Sequence, residues 1–495
     1  MNRKISFRLR GILLLLVITA TSDKSIAQTS SRPNIVFFIA DDVSWNDLGC
    51  YGNKAVSTPN IDKLTKSGVQ FQHAFLTASS CSPSRISILN GRYPHNTGAA
   101  ELHMPILESL PNLAMELKKA GYFTVSSGKW HQGNTMKSSF DLIYSKKDGE
   151  GGNGDGGENN WVRSIADRPK EKPFFMWFAS HDAHRLWGTN EYTGTNKPEK
   201  VVVPPYMIDS EATRKDFAQY HDEITRFDAY VGKVVAHLEE NALLKNTIIV
   251  VMADNGRPFP RCKTRLYDDG IKTPFIVRWD GANIARNQKT ESIVSAIDIM
   301  PTLLEAASLP IPETVQGKSF LSVLKNPAEK FRTYAFAEHN WHDYEAYERM
   351  VRTKDFLYIY NARPQYPQST SGDNHRDSSF QELVKVWRKG ELTNLQMDNF
   401  KAPRNFEELY DLKNDPQQIN DVSKKPAYKM KLLEMRSLKD EWQEQTADTE
   451  PARLTPGNHD WLMGYFYDET FVPTKRGEMP GASKKAHLVN HSGRF

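Results

Sequence analysis

Three stretches of this 495-residue chain share one design. Each is unbroken apolar sequence that closes in acidic, amide or histidine side chains: PNIVFFIADD (Pro33–Asp42), KPFFMWFASHDAH (Lys172–His184) and NTIIVVMADNG (Asn246–Gly256). YFTVSSGKWH (Tyr122–His131) is a weaker version. An apolar run without alternation leaves no face for water. It therefore reads as a strand buried on both sides, in a parallel or mixed sheet covered by helices. Amphipathic stretches lie between the runs. LPNLAMELKKAGY carries apolar residues at helical spacing and a Gly121 stop, and Asp216–Leu244 is long enough for one helix or two. Strand and helix in alternation predict an α/β fold. Ligands in such folds bind beyond the carboxyl ends of the strands, where Asp41, Asp42, Lys129, His131, His181, His184, Asp254 and Asn255 fall.

The organisation around this core is readable. Residues 1–27 combine Arg3, Lys4, Arg8 and Arg10 with an apolar run from Gly11 to Ala20 and a small-x-small site ending at Ala27. That is the pattern of a secretory signal, and the run is too short to span a bilayer. The chain is expected to be exported, to the periplasm or outside, with no membrane span. The catalytic domain is expected over 28–330. A smaller α+β subdomain is expected over 331–450, from RTYAFAEH, ERMVRTKDFLYIYN, NFEELYDLKNDP and the amphipathic AYKMKLLEMRSLKDEWQEQT. Residues 451–495 read as a polar tail, and the glycine-rich DGEGGNGDGGENN (Asp148–Asn160) as a loop. A net charge of +4 without a basic stripe gives no reason to expect a nucleic-acid partner. Nothing in the sequence sets the oligomeric state.

Three cysteines remain, Cys50, Cys81 and Cys262. The odd count leaves at least one thiol unpaired or modified, and without a CxxC pair a cysteine-built zinc site is not expected. Cys81 stands in SSCSPSR, two residues before Pro83 and four before Arg85. From the residues alone it could be half of a disulfide, a free thiol, a metal ligand or the precursor of another group.

Cys81-Ser82-Pro83-Ser84-Arg85 resembles the C-x-P-x-R signature of the type I sulfatases, whose cysteine is oxidised to formylglycine. The resemblance extends in order through ADD, GRYPH, GKWH, SHDAH, ADNG and ELYDLKNDP, from about Pro33 to Pro416. It implies the alkaline phosphatase-like fold, a large mixed sheet between helices with a smaller C-terminal sheet domain. Within the family, FASHDAHR and DNGRPFPRCKTRLY look like the sulfamidase (N-sulfoglucosamine sulfohydrolase) branch, which also includes bacterial enzymes acting on algal polysaccharides such as ulvan. Position 263 is lysine where sulfamidases carry arginine, and lysine cannot make a planar two-point contact.

The resemblance implies roles residue by residue. Hydrated formylglycine at position 81 is the nucleophile, and a maturase must make it. One Ca²⁺ is held by oxygen donors from Asp41, Asp42, Asp254, Asn255 and residue 81. Arg85 holds the hydrate, Lys129 and Lys263 clamp sulfate oxygens, His131 handles the proton of the second hydroxyl, and His184 protonates the leaving atom. His103, His181, Arg185, Arg257, His339 and His342 are candidate substrate contacts, although each could equally be a structural residue. The expected activity is hydrolysis of sulfate esters of an algal or glycosaminoglycan polysaccharide. The alternatives are a heparan sulfamidase and, in the same superfamily, a phosphonate or phosphodiester hydrolase.

Overall fold

A computed structural model describes Met1, residues 32–145, 157–462, 464, 465, 467 and 476–495. The expected signal segment and most of the glycine-rich loop lie outside these residues. The apolar runs are the strands they read as: β1 (Asn34–Ala40), β3 (Phe123–Gly128), β5 (Phe174–Ala179) and β6 (Thr247–Ala253). With β2 (Val69–Phe75), β4 (Leu142–Tyr144), β7 (Phe275–Trp279) and β8 (Gln288–Ser295) they form an eight-stranded sheet in the order β4-β3-β5-β1-β6-β7-β2-β8. Strand β7 runs antiparallel to both of its neighbours, and every other pairing is parallel.

The reason for continuous apolar sequence is visible in β1. Ile35, Phe37 and Ile39 enter one core with the helices Cys81–Asn90, Leu113–Lys119 and Ile299–Ala306. Val36, Phe38 and Ala40 enter another with Asn159–Ala166, Glu211–Glu240 and Ser378–Lys389. Successive strand residues point to opposite faces, so a strand roofed by helices on both sides needs apolar residues throughout. The long amphipathic stretch is a single helix, Glu211–Glu240. It starts five residues before the apolar pattern does, because the Ser210 side chain caps it by accepting the Thr213 N–H at 3.2 Å.

A second, four-stranded antiparallel sheet has the order β12-β11-β10-β9, from β9 (Ala335–His339), β10 (Glu348–Arg352), β11 (Phe356–Asn361) and β12 (Glu407–Asp411). Helix Lys429–Thr446 covers one face, where Met435, Leu438 and Trp442 pack on Phe336, Val351, Tyr358 and Leu409. The fold is thus α/β, a mixed sheet between helices with a smaller C-terminal sheet. Residues 32–495 form one compact unit. The end of the chain has no strand or α-helix among its described residues, yet it is held. Arg92 donates to Asn490 Oδ1 at 2.7 Å and to the carbonyls of Val489 and His487 at 2.8 and 3.1 Å. No helix of the described residues is long and apolar enough to cross a membrane.

Candidate active site

The parallel strands β1, β3, β5 and β6 end side by side, and their last backbone bonds lock the ends together. The Asp254 N–H donates to Ala40 O at 3.2 Å, Ser180 N–H to Ile39 O at 3.0 Å and Lys129 N–H to Ala179 O at 2.8 Å. Asp41 and Asp42 follow β1 directly. In a continuing strand their side chains would point opposite ways. Asp42 instead adopts a left-handed conformation, with φ of 58°, and both carboxylates reach Cys81. The Cys81 Sγ lies 3.7 Å from Asp41 Oδ1 and 4.0 Å from Asp42 Oδ1.

Cys81 is the first residue of a helix whose ten residues are all buried. Its side chain sits at the positive end of the helix dipole, where developing negative charge is favoured. Gly91 ends the helix with φ of 67°, a conformation that costs little without a Cβ, and returns its N–H to Ser87 O at 2.9 Å. None of the three cysteines is in a disulfide. Cys81 is 2% exposed, and burial pushes its thiol well above the usual range.

Around Cys81 the charges alternate. Arg85 donates Nε to Asp254 Oδ2 at 2.7 Å and holds its second nitrogen 3.7 Å from Asp41. Lys129 pairs with Asp41 Oδ2, and Lys263 with Asp42 Oδ2 at 2.8 Å. Asn255 donates Nδ2 to Gly256 O at 3.0 Å and also to Asp42, while its Oδ1 is buried without a partner. Gly256 is needed next: a Cβ there would stand 2.0 Å from Asp269 O.

The protonation pattern follows from burial. Asp254 is pushed up to about 7, by desolvation first and then by Asp41 and Asp42, with Arg85 opposing. Desolvation acts on Asp41 as well, but Lys129, His184 and Arg85 overcome it and hold the carboxyl low. Three carboxylates in one dry space cannot all ionise cheaply. An orphaned amide oxygen beside them adds a fourth oxygen donor. This donor set fits a hard divalent cation bound by oxygen, with Asp41, Asp42, Asp254, Asn255 and the group at position 81 around it.

Histidines line the opening. His131 Nε2 lies 2.8 Å from His103 Nδ1, and burial and then Lys129 hold His131 well below its ordinary range. The His103 backbone N–H donates to Ser82 Oγ at 2.8 Å, which ties that loop to the Cys81 helix. His181 is held neutral, down to about 3, by burial and Lys129. His184 hydrogen-bonds its Nδ1 to Arg185 O and turns Nε2 to Lys263 Nζ at 3.0 Å and towards Asp42 Oδ2 at 3.9 Å. A carbonyl only accepts, so Nδ1 carries the proton in that bond.

The remaining candidates are placed elsewhere in the protein's own ion pairs. Arg185 makes a two-point contact with Asp216, at 2.8 and 2.9 Å, between the rings of Trp187 and Phe259. Arg257 binds Asp47 at 3.0 Å and Asp269 at 3.1 Å. His339 pairs with Glu348 on the second sheet at 3.3 Å.

One residue enters that sequence reasoning did not single out, Asp373, and His342 takes a place beside Cys81 that the sequence did not assign it. Asp373 binds Lys263 Nζ at 2.8 Å and lies 3.4 Å from His184 Nε2. His342, read from sequence only as a possible glycan contact, hydrogen-bonds Ser80 Oγ at 2.7 Å, directly before Cys81. Both come from irregular segments after residue 340, and no motif or periodicity marks them.

Comparison with known proteins supplies the context for this geometry. The sulfatase family model matches residues 33–309, and the model of the C-terminal region of N-sulphoglucosamine sulphohydrolase matches 262–369. An ulvan-active sulfatase of Formosa agariphila is 30% identical over 456 residues, covering 83% of this chain and 74% of that protein. Human N-sulphoglucosamine sulphohydrolase is 29% identical over 461 residues, covering 84% and 91%. Among solved structures, a protein bound to its substrate D-glucosamine-2-N,6-O-disulfate superposes with a TM-score of 0.64 at 20% identity, covering 84% of this chain and 98% of that one. The phosphonate monoester hydrolase of Agrobacterium radiobacter superposes with 0.61 at 16% identity, covering 82% and 94%. These two likenesses establish the shared fold.

Proposed function

The chain belongs to the sulfatase family, as a sulfuric ester hydrolase of the polysaccharide and glycosaminoglycan type, and on that premise we propose that it is an exported, calcium-dependent enzyme that cleaves sulfate esters of a sulfated polysaccharide through a formylglycine made from Cys81. The observation that carries this is the placing of Cys81 Sγ at 3.7 and 4.0 Å from Asp41 and Asp42, at a helix N-terminus, with Arg85 beside both Asp41 and Asp254.

A sulfate ester needs a nucleophile, counter-charge and a proton for the leaving oxygen. The hydrate of an aldehyde at position 81 carries two hydroxyls on one carbon. One attacks sulfur and displaces the alcohol. Loss of the second hydroxyl's proton then breaks the carbon–oxygen bond to sulfate and restores the aldehyde. A cysteine or serine has no second hydroxyl and would need water to attack sulfur again. Arg85, fixed by Asp254, orients the hydrate. His131, neutral and beside Lys129, accepts the second hydroxyl's proton. Lys129 and Lys263 meet the negative charge on the sulfate oxygens as the transition state forms. His184 delivers the proton to the leaving atom from Nε2, which accepts from Lys263 in the free enzyme and must first take up a proton of its own. A bound Ca²⁺ on Asp41, Asp42, Asp254 and Asn255 would neutralise sulfate charge and acidify the nucleophile.

Cleavage of N–S bonds in N-sulfated glucosamine is the second reading. The match of residues 262–369 to the N-sulphoglucosamine sulphohydrolase C-terminal model favours it. Two measurements on enzyme purified with its maturase test the proposal. Mass spectrometry of the peptide carrying Cys81 should show the thiol replaced by the aldehyde; fully active enzyme with an intact thiol would refute the nucleophile. Sulfate released from ulvan, heparan, chondroitin and carrageenan oligosaccharides should identify the substrate, with N-sulfated heparan fragments separating the two readings.

A further inference from the structure

Lys263 has three N–H donors, and each has a partner: Asp42 Oδ2 at 2.8 Å, His184 Nε2 at 3.0 Å and Asp373 Oδ2 at 2.8 Å. A sulfate oxygen can take this ammonium only by displacing one of them. Asp42 is fully buried in the carboxylate cluster, and His184 is anchored through Nδ1 to Arg185 O. Asp373 is different. Its side chain is 28% exposed, and it sits on the short turn Gly372–Asn374 rather than at a strand end. Its other oxygen accepts from Ser371 Oγ at 2.6 Å, which lets the carboxylate leave Lys263 without losing its seat. Asp343, its side chain mostly buried, accepts the neighbouring Gly372 N–H at 2.7 Å.

A carboxylate oxygen 2.8 Å from Lys263 and 3.4 Å from His184 occupies the position that an oxygen of the sulfate or leaving group must reach. It is also an unexpected charge for the mouth of a site that admits anions. A second sulfate or a carboxylate of the substrate placed against it is repelled, whereas a hydroxyl donates to it. We propose that Asp373 is a positioning and specificity-determining residue: it holds Lys263 in the free enzyme and, when sulfate takes that ammonium, accepts a hydroxyl hydrogen of the sugar bearing the sulfate. The enzyme therefore selects sugars whose position next to the scissile sulfate is a free hydroxyl. This rests on the reading of the protein as a sulfatase acting on sulfated sugars.

Wild-type, Asp373→Asn and Asp373→Ala enzymes are compared on monosulfated glucosamine and rhamnose, each beside a disulfated counterpart carrying the second sulfate next to the first. The wild type should favour the monosulfated sugar by roughly tenfold or more in kcat/KM. Asp373→Asn keeps an oxygen acceptor and loses the charge, so the preference should narrow to within about threefold. Asp373→Ala should lose about tenfold in kcat/KM on the monosulfated sugar while still unfolding cooperatively, with Lys263 kept in place by Asp42. An unchanged preference in Asp373→Asn, or full kcat/KM in Asp373→Ala, overturns the role of Asp373 alone. Failure of the wild type to release sulfate from any of these sugars overturns that role together with the reading beneath it.

Discussion

Arg85 and Asp254 join the helix that carries Cys81 to the end of β6, Nε to Oδ2 at 2.7 Å, with no exposed surface on either side chain. A pair buried this completely is held in place by what its loss would leave behind, an uncompensated charge in a dry site.

Replacing Arg85 with alanine strands Asp254 and removes one of the two cations beside Asp41, leaving Lys129. Unfolding in urea with chelator present should show a loss of about 3–5 kcal/mol. Arg85→Lys keeps the charge without the Nε geometry, so it should fold with a smaller loss and still turn over poorly. Wild-type stability in Arg85→Ala would show that the pair does not brace the site.

Removal of the cation should raise the free energy of the carboxylate cluster as well as stop turnover. Exhaustive chelation, verified by elemental analysis, should abolish sulfate release and lower the unfolding midpoint. Returning Ca²⁺ should restore both, with a stabilisation of about 4 kcal/mol at a thousandfold excess over Kd. Full activity in metal-free protein would eliminate the ion from the mechanism. A midpoint that ignores Ca²⁺ concentration would mean that the four oxygen residues do not bind it.

His221 gives a pH test away from the chemistry. It is buried in helix Glu211–Glu240 against Phe217 and Tyr220, and burial and then Arg257 hold it down to about 3. The folded state keeps this imidazole neutral while the unfolded chain protonates it near 6.5. Its contribution is therefore fully present above about pH 6.5 and is lost as pH falls towards the folded value. His221→Phe also removes an Nδ1 that is buried without a partner. The variant should match or exceed wild type at pH 7, and its unfolding midpoint should fall less between pH 6 and 4. Parallel curves for the two proteins would show that His221 does not control acid sensitivity.

The strands buried on both faces were legible because their burial demands an unusual composition. Val36, Phe37 and Phe38 could be nowhere but inside. Strand β2, VQFQHAF, was not, because Gln70, Gln72 and His73 interrupt its apolar residues. Strand β8 at the sheet edge was not either, since its first residues face water and carry no apolar run. The same division runs through the site. Asp41, Cys81, Lys129 and Asp254 follow strands or open a helix, so local patterns position them. Asp373 reaches Lys263 across 110 residues from an irregular turn, and only the packing of the second sheet's neighbourhood puts it there. Arg185 and Arg257 illustrate the converse. They adjoin motif residues in sequence, but Asp216 and Asp47, which no motif marks, take their guanidinium groups.

The strand order has a consequence in time. Strand β2 leads into the Cys81 helix, yet its sheet partners are β7 and β8, which begin at residues 275 and 288. While the chain is being made, the SSCSPSR segment therefore has no sheet to join until synthesis has passed residue 275. Contacts so distant along the chain form late. The thiol that ends 2% exposed is therefore open chain until β7 arrives and closes the site over it, and the maturation proposed for Cys81 would have its opportunity in that interval.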